Sequence, residues 1–208
     1  MRIIGITGPS GAGKTRLTEY VSSLGIPTIN ADELYHSMLV PPSECLDAIK
    51  AKFGDVVFAD DGTLDRKALS EIVFSDSEKL RMLNETVLSI VINEIKRIIK
   101  AFEQSGEQTV AVDAPTLIES GFDRECDVVV SVICPEKERA VRISLRDQIS
   151  KDKALSRNQA QKDDSFYTEH SNYVINNNGT EAEFDEKIRE FVQKLGITTK
   201  SPERKKNK

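Results

Sequence analysis

The chain has 208 residues, 30% of them charged, with a formal net charge of −5 and an isoelectric point near 5.3. That length supports one good hydrophobic core with a satellite domain, and the acidic balance excludes a general nucleic-acid binder, whose surface would be strongly basic. The three cysteines, Cys45, Cys126 and Cys134, match neither a metal knuckle nor a redox C-x-x-C pair and read as reduced thiols.

The chain opens on a short apolar run, Ile3-Ile4-Gly5-Ile6-Thr7, too short for a signal peptide or a membrane span, so a cytoplasmic location is the expectation. The run reads as a buried strand. It delivers Gly8-Pro9-Ser10-Gly11-Ala12-Gly13-Lys14-Thr15, which fits G-x-x-x-x-G-K-[ST]. The chemistry explains the spacing. Glycines let the backbone approach a phosphate, successive N–H groups point at its oxygens, Lys14 reaches the β- and γ-phosphates, and the Thr15 hydroxyl holds Mg²⁺. Leu17, Tyr20, Val21 and Leu24 then recur at helical spacing up to Gly25, supplying the helix such a loop needs. ATP with Mg²⁺ is the expected cofactor pair.

Ile26 to Asn30 reads as a second strand, which places Asp32 just past a carboxyl end. Ligands in open α/β sheets lie at that edge, so Asp32 is a candidate site carboxylate. It is equally a candidate N-cap for a helix over Glu33 to Leu39. Ser43 caps a helix carrying Leu46, Ile49 and Phe53, and Val56-Val57-Phe58 is the one strand candidate between Gly54 and Gly106. After the Asp61-Gly62 turn, Asp65 caps a helix with Leu69, Ile72 and Val73 inward. Ser75 or Asp76 begins another through Leu80 and Leu83, and Thr86 to Gln104 forms a long helix with an apolar stripe. This helical block interrupts the strand–helix alternation, a natural place for an acceptor site.

Thr109 to Asp113 is a compact strand ending in an acid, which either holds Mg²⁺ or its water, or is a turn residue before Pro115. Asp127 to Ile133 is a fourth strand with the continuous apolar character of a buried parallel one. From Glu136 to His170 charges are dense, with Arg142 and Arg146 one turn apart. This texture suits a solvated helix pair, or a mobile lid whose arginines close over a triphosphate. Asn172 to Asn176 is a fifth strand, Asn177-Asn178-Gly179 a turn, and Glu181 to Leu195 the closing helix, followed by a basic tail over 198–208 expected to be disordered.

Taken together these residues resemble the dephospho-CoA kinase family. The resemblance is carried by the P-loop, Ala31-Asp32, Phe53-Gly54, Asp61-Gly62-Thr63-Leu64-Asp65-Arg66, Phe74, the segment Val112 to Glu119, the lid-spaced Arg142, Arg146, Arg157 and Gln161, and Asn177 with Gly179. It implies an α/β P-loop kinase fold, a five-stranded parallel sheet flanked by helices with a helical substrate-binding insertion and a helical lid. It also implies transfer of the ATP γ-phosphoryl to the ribose 3′-hydroxyl of dephospho-CoA. The implied partition is a nucleotide-binding core of 1–32, 107–138 and 171–197, a CoA-binding domain of 33–106 and a lid of 139–170.

In the implied site Lys14, Asp32, Arg142 and Arg146 are catalytic, Asp32 as the acid beside the acceptor hydroxyl. Gly8 to Thr15 with Asn177 hold the nucleotide. Asp32, Arg66, Asp113, Pro115 and Leu117 meet the acceptor, and Thr15 and Asp113 bind the metal. The chain departs from the family pattern at Leu88-Ser89, where the family carries His-Pro, and at Thr116, Arg139 and Ser171-Asn172. Two other readings stay open: a P-loop kinase of another nucleoside or nucleotide, and a catalytically weak nucleotide binder. ATP and dephospho-CoA are the expected partners, without nucleic acid or membrane, and a monomer and a small homo-oligomer are both compatible with the pattern.

Overall fold

The computed structural model describes residues 1–197, and the expected basic tail lies outside the described residues. The described chain divides into two compact units, one built from Met1–Thr28 and residues 107–197, the other from Ile29–Gly106.

The strands form a five-stranded parallel sheet of order β2-β3-β1-β4-β5, with β1 over Arg2–Thr7, β2 over Thr28–Asn30, β3 over Thr109–Asp113, β4 over Val128–Ile133 and β5 over Tyr173–Asn176. Ile4 faces Ala111 on one side of β1, and Ile6 faces Val130 on the other. Ile4, Ile6, Val110, Val112, Val130 and Val132 are wholly buried, which is why these strands read as unbroken apolar runs. Pro27 lacks an N–H and stands just before β2, yet its carbonyl accepts the Ala111 N–H at 2.9 Å.

Helices α1 (Lys14–Ser23) and α9 (Glu181–Lys194) bury Leu17, Val21, Phe184, Ile188, Phe191 and Val192 in one cluster with the sheet residues. Each such side chain contributes about 1.5–3 kcal/mol of transfer free energy. Outside that cluster, Arg16 of α1 reaches Asp185 of α9 through Nε–Oδ1 at 2.5 Å and Nη2–Oδ2 at 2.7 Å. The dense-charge stretch forms three helices, α6 (Glu136–Asp147), α7 (Lys151–Gln159) and α8 (Asp164–Glu169), with Ala140, Ile143 and Ala154 as a small core.

The second unit contains α2 (Ala31–Ser37), α3 (Glu44–Phe53), α4 (Arg66–Phe74) and α5 (Ser77–Gln104) around Cys45, Ile49, Val57, Leu69 and Val73. Ser43 caps α3 by accepting the Leu46 N–H, and Asp65 caps α4 by accepting from Lys67 and Ala68. Two expectations are corrected. Val56 to Phe58 is no strand: Asp55–Val57 is a 3-10 turn, and Phe58 makes only an isolated bridge to Leu64 because the Asp61-Gly62 turn folds the chain straight back. The two helices expected between Ser75 and Gln104 are one. Asp76 caps it, and nothing between Leu83 and Thr86 breaks a stripe that runs on through Val87 and Ile90.

Candidate active site

The P-loop is the turn from β1 into α1. Gly8 has φ +135°, and a Cβ there would stand 2.2 Å from the Val132 carbonyl oxygen of β4. Gly13 has φ +109°, and its Cβ would stand 2.5 Å from Asn177 Nδ2. Only glycine meets both the left-handed torsion and the missing space. Gly13 is also the N-cap of α1 and offers no side-chain acceptor, in contrast to α2, α3, α4, α5, α7, α8 and α9, which all carry side-chain caps. Gly13 thus leaves the first turn of α1 without a side-chain cap, the arrangement in which backbone N–H groups at a helix start serve an anion.

The side chains around the loop brace it. Lys14 Nζ donates to the Gly8 and Pro9 carbonyls at 2.7 and 3.1 Å, holding its charge at the front of the loop. Asn177 follows β5, is buried, and donates to the Ala12 carbonyl at 2.8 Å. Its side chain therefore shapes the loop from beneath. Arg142 Nη1 lies 3.3 Å from the Gly11 oxygen and 3.4 Å from the Ala12 oxygen, and Arg146 Nη2 lies 3.3 Å from Ser10 Oγ. The Ser10 N–H donates to Gln161 Oε1 at 3.0 Å.

Asp147 holds Arg146 and Arg157. Its carboxylate takes Arg146 in a two-point contact, 2.7 and 3.1 Å, and Arg157 Nη1 at 2.6 Å. Hydrogen bonding from Arg146, reinforced by the charges of Arg146 and Arg157, holds the Asp147 carboxyl below the usual carboxylate range against some desolvation.

Asp113 ends β3 and is buried. Thr18, one turn into α1, lies 2.9 Å from its Oδ2 and 3.2 Å from the Lys14 carbonyl, so its single proton is shared between two acceptors. Thr15 stands three residues before Thr18 on that helix, a spacing that puts both hydroxyls on one helical face. Of the neighbouring segment, Pro115 accepts the Thr7 hydroxyl at 3.2 Å. Leu117 is fully buried and packs where a Cβ on Gly5 would meet it at 2.6 Å.

Asp32 and Arg66 belong to the second unit. Asn30, not Asp32, caps α2: its Oδ1 accepts the N–H groups of Asp32 and Glu33 at 3.0 and 3.1 Å. The Asp32 side chain is exposed in the first turn of α2. Tyr35 lies one turn on. Burial pushes its phenol up in pKa and the Arg66 charge opposes that, so these two side chains sit within electrostatic reach. The contacts of Thr18 and Asp147 are partly legible in the sequence, Thr18 from its helical spacing to Lys14 and Asp147 from its place beside Arg146, whereas nothing in the sequence sets Tyr35 apart from other helical aromatics.

The sequence model of the family described as Dephospho-CoA kinase matches residues 2–183. The chain belongs to the dephospho-CoA kinase family. It is 35% identical over 178 residues to the Dephospho-CoA kinase of Halalkalibacterium halodurans, covering 86% of this chain and 89% of that one. It is 36% identical over 177 residues to that of Shouchella clausii, covering 85% and 90%. Among solved structures, a Thermus thermophilus protein superposes with a TM-score of 0.77 at 27% identity over 93% of this chain and 97% of its own. A dephospho-CoA kinase from Campylobacter jejuni shares the fold with a TM-score of 0.69 at 24% identity over 94% and 98%. The family match spans the P-loop, Asp113, the α6–α8 segment and Asn177 alike, so the architecture around the loop is that of a P-loop kinase. At the family's His-Pro position, Ser89 Oγ donates to the Thr86 carbonyl of its own helix. Among the described residues no helix is long and apolar enough to cross a membrane.

Proposed function

We propose that this chain transfers the γ-phosphoryl of ATP to the ribose 3′-hydroxyl of dephospho-CoA. The observation that carries the reading is an anion cradle, Gly8 to Thr15 leading into α1, inside a chain whose family match covers residues 2–183. Phosphoryl transfer passes through a loose transition state, so positioning and charge neutralisation supply most of the acceleration. Lys14, Arg142 and Arg146 are the cations for that work, and α6–α8 is the lid that carries two of them. Asp32, released from capping by Asn30, orients the acceptor hydroxyl and accepts its proton. Arg66 binds the acceptor on the same unit. Asp113 and Thr15 supply a carboxylate and a hydroxyl, hard oxygen donors that suit Mg²⁺, an ion that takes its remaining ligands from water and phosphate. When bound, that ion neutralises charge on the phosphates.

The decisive experiment incubates the purified protein with ATP, Mg²⁺ and dephospho-CoA and reads the acceptor by mass spectrometry. The expected product is dephospho-CoA heavier by one phosphoryl group, and a fragmentation pattern assigns it to the ribose. Unchanged dephospho-CoA with phosphorylation of another nucleoside overturns the acceptor assignment.

A further inference from the structure

In the cradle the backbone N–H of Ser10 is the first after that of Gly8, since Pro9 between them has none. It is occupied by a side chain from far along the sequence: Gln161, in the turn between α7 and α8, places Oε1 3.0 Å from that nitrogen. The same residue is held at its hydroxyl by Arg146. Helices α6–α8 thus grip one loop residue twice, once through a cation and once through a neutral oxygen.

The neutral contact is the unusual one. A cationic side chain beside a P-loop can stay when phosphate arrives, because its charge complements the ligand. A carboxamide oxygen on a cradle N–H sits where a phosphate oxygen would accept. Lys14 fixes which phosphate this concerns. Its ammonium rests on the Gly8 and Pro9 carbonyls, and a P-loop lysine serves the β- and γ-phosphates. On that reading Ser10, next to Pro9, lies at the β/γ end of the bound phosphates.

We infer that Gln161 competes with the terminal phosphate for the Ser10 N–H: it holds this donor itself and yields it when a triphosphate binds. The exchange favours the ligand because a hydrogen bond to an ionised oxygen is about twice as strong as one to a neutral acceptor. Yielding the bond detaches the α7–α8 turn from the loop, while Arg142 and Arg146 keep α6 beside it. Gln161 is thus a residue through which this segment distinguishes a triphosphate from a diphosphate. The inference rests on the nucleotide-binding reading of the loop and extends it.

Calorimetric titration of the full chain with AMPPNP, the triphosphate whose β and γ phosphorus atoms are bridged by NH, and separately with ADP, tests it. Removing the competing oxygen in Gln161→Ala is expected to tighten AMPPNP by about two- to tenfold, the worth of one net hydrogen bond, and to leave ADP unchanged. Gln161→Glu keeps the acceptor and adds a negative charge facing the phosphates, so AMPPNP is expected to weaken by about fivefold or more. Equal tightening of both nucleotides, no change, or weakening of both in Gln161→Ala would overturn the inference, the last by showing Gln161 to be a brace. A wild-type chain that binds neither nucleotide would instead overturn the underlying reading of the loop.

Discussion

The Thr18 hydroxyl stands 2.9 Å from Asp113 Oδ2 and ties the helix that begins at Lys14 to the last residue of β3. The bond aims a buried carboxylate at the face of α1 that also carries Thr15. Thr18→Val keeps the volume and removes the donor, so it should cost about 1.5–3 kcal/mol, the range for one hydrogen bond to a charged group. It should also raise the Mg²⁺ concentration needed for half-maximal turnover. Thr18→Ser should restore both. Urea unfolding and a Mg²⁺ titration of the kinase rate measure the two effects. A Thr18→Val chain with normal Mg²⁺ dependence would leave Asp113 a structural acid.

Asp32 is exposed, and its competing duty as a helix cap is discharged by Asn30. Asp32→Asn is therefore expected to change stability by no more than about 0.5 kcal/mol, as for a surface substitution free of a structural role. If Asp32 is the proton acceptor, kcat should fall by about 10² or more while ATP binds with unchanged affinity. Asn30→Ala makes the opposite prediction: a loss of about 1 kcal/mol of helix stability from the missing cap. Thermal unfolding and steady-state kinetics on the two variants separate capping from catalysis.

These two cases mark where sequence is legible. The P-loop, the parallel strands and the caps at Ser43 and Asp65 follow from local chemistry, glycines where φ is positive and acceptors before helical runs, so a linear reading finds them. At Asp32 the same rule fits two nearby residues, Asn30 and Asp32, and only the backbone decides which begins the helix. The turn at Asp55–Val57 reads as a strand because its valines favour one, whereas a partner strand is a tertiary matter. Contacts such as Ser10 with Gln161, separated by 151 positions, leave no local trace at all. Asn177 and Leu117 show a subtler limit: sequence resemblance marks both, while their burial and the Asn177 bond to the Ala12 carbonyl are visible only in the fold.

Two glycines with positive φ separate torsional cost from crowding. Gly25, at φ +81°, has nothing within 4 Å of the place a Cβ would take, so Gly25→Ala should cost only the left-handed torsion, about 1–2 kcal/mol. Gly8 combines φ +135° with a Cβ 2.2 Å from the Val132 carbonyl. Gly8→Ala must move β4 or the loop, so a loss above about 3 kcal/mol is expected, together with loss of ATP binding. Denaturant unfolding and nucleotide titration of both variants check this, and similar losses in the two would refute the crowding account.

The Arg16–Asp185 pair joins α1 to α9 and gives the protein a signature in acid. Hydrogen bonding from the Arg16 guanidinium, aided by its charge, lowers the Asp185 carboxyl below its ordinary pKa. The carboxyl therefore binds its proton less readily folded than unfolded. Its stabilising contribution is present above the unfolded carboxylate pKa of about 4 and is lost as pH falls through the lower folded value. Asp185→Asn removes the ionisable partner, so its melting temperature should lie below that of the wild type near neutral pH. The gap should narrow as the pH is lowered through about 4 and below. Both partners are partly exposed, 39% and 33% at the side chains, so 1 M salt should narrow the same gap at neutral pH. Scanning calorimetry of both proteins between neutral and acid pH tests the sign directly: a gap that widens in acid would mean that Asp185 is held protonated in the fold, contrary to its contact with Arg16.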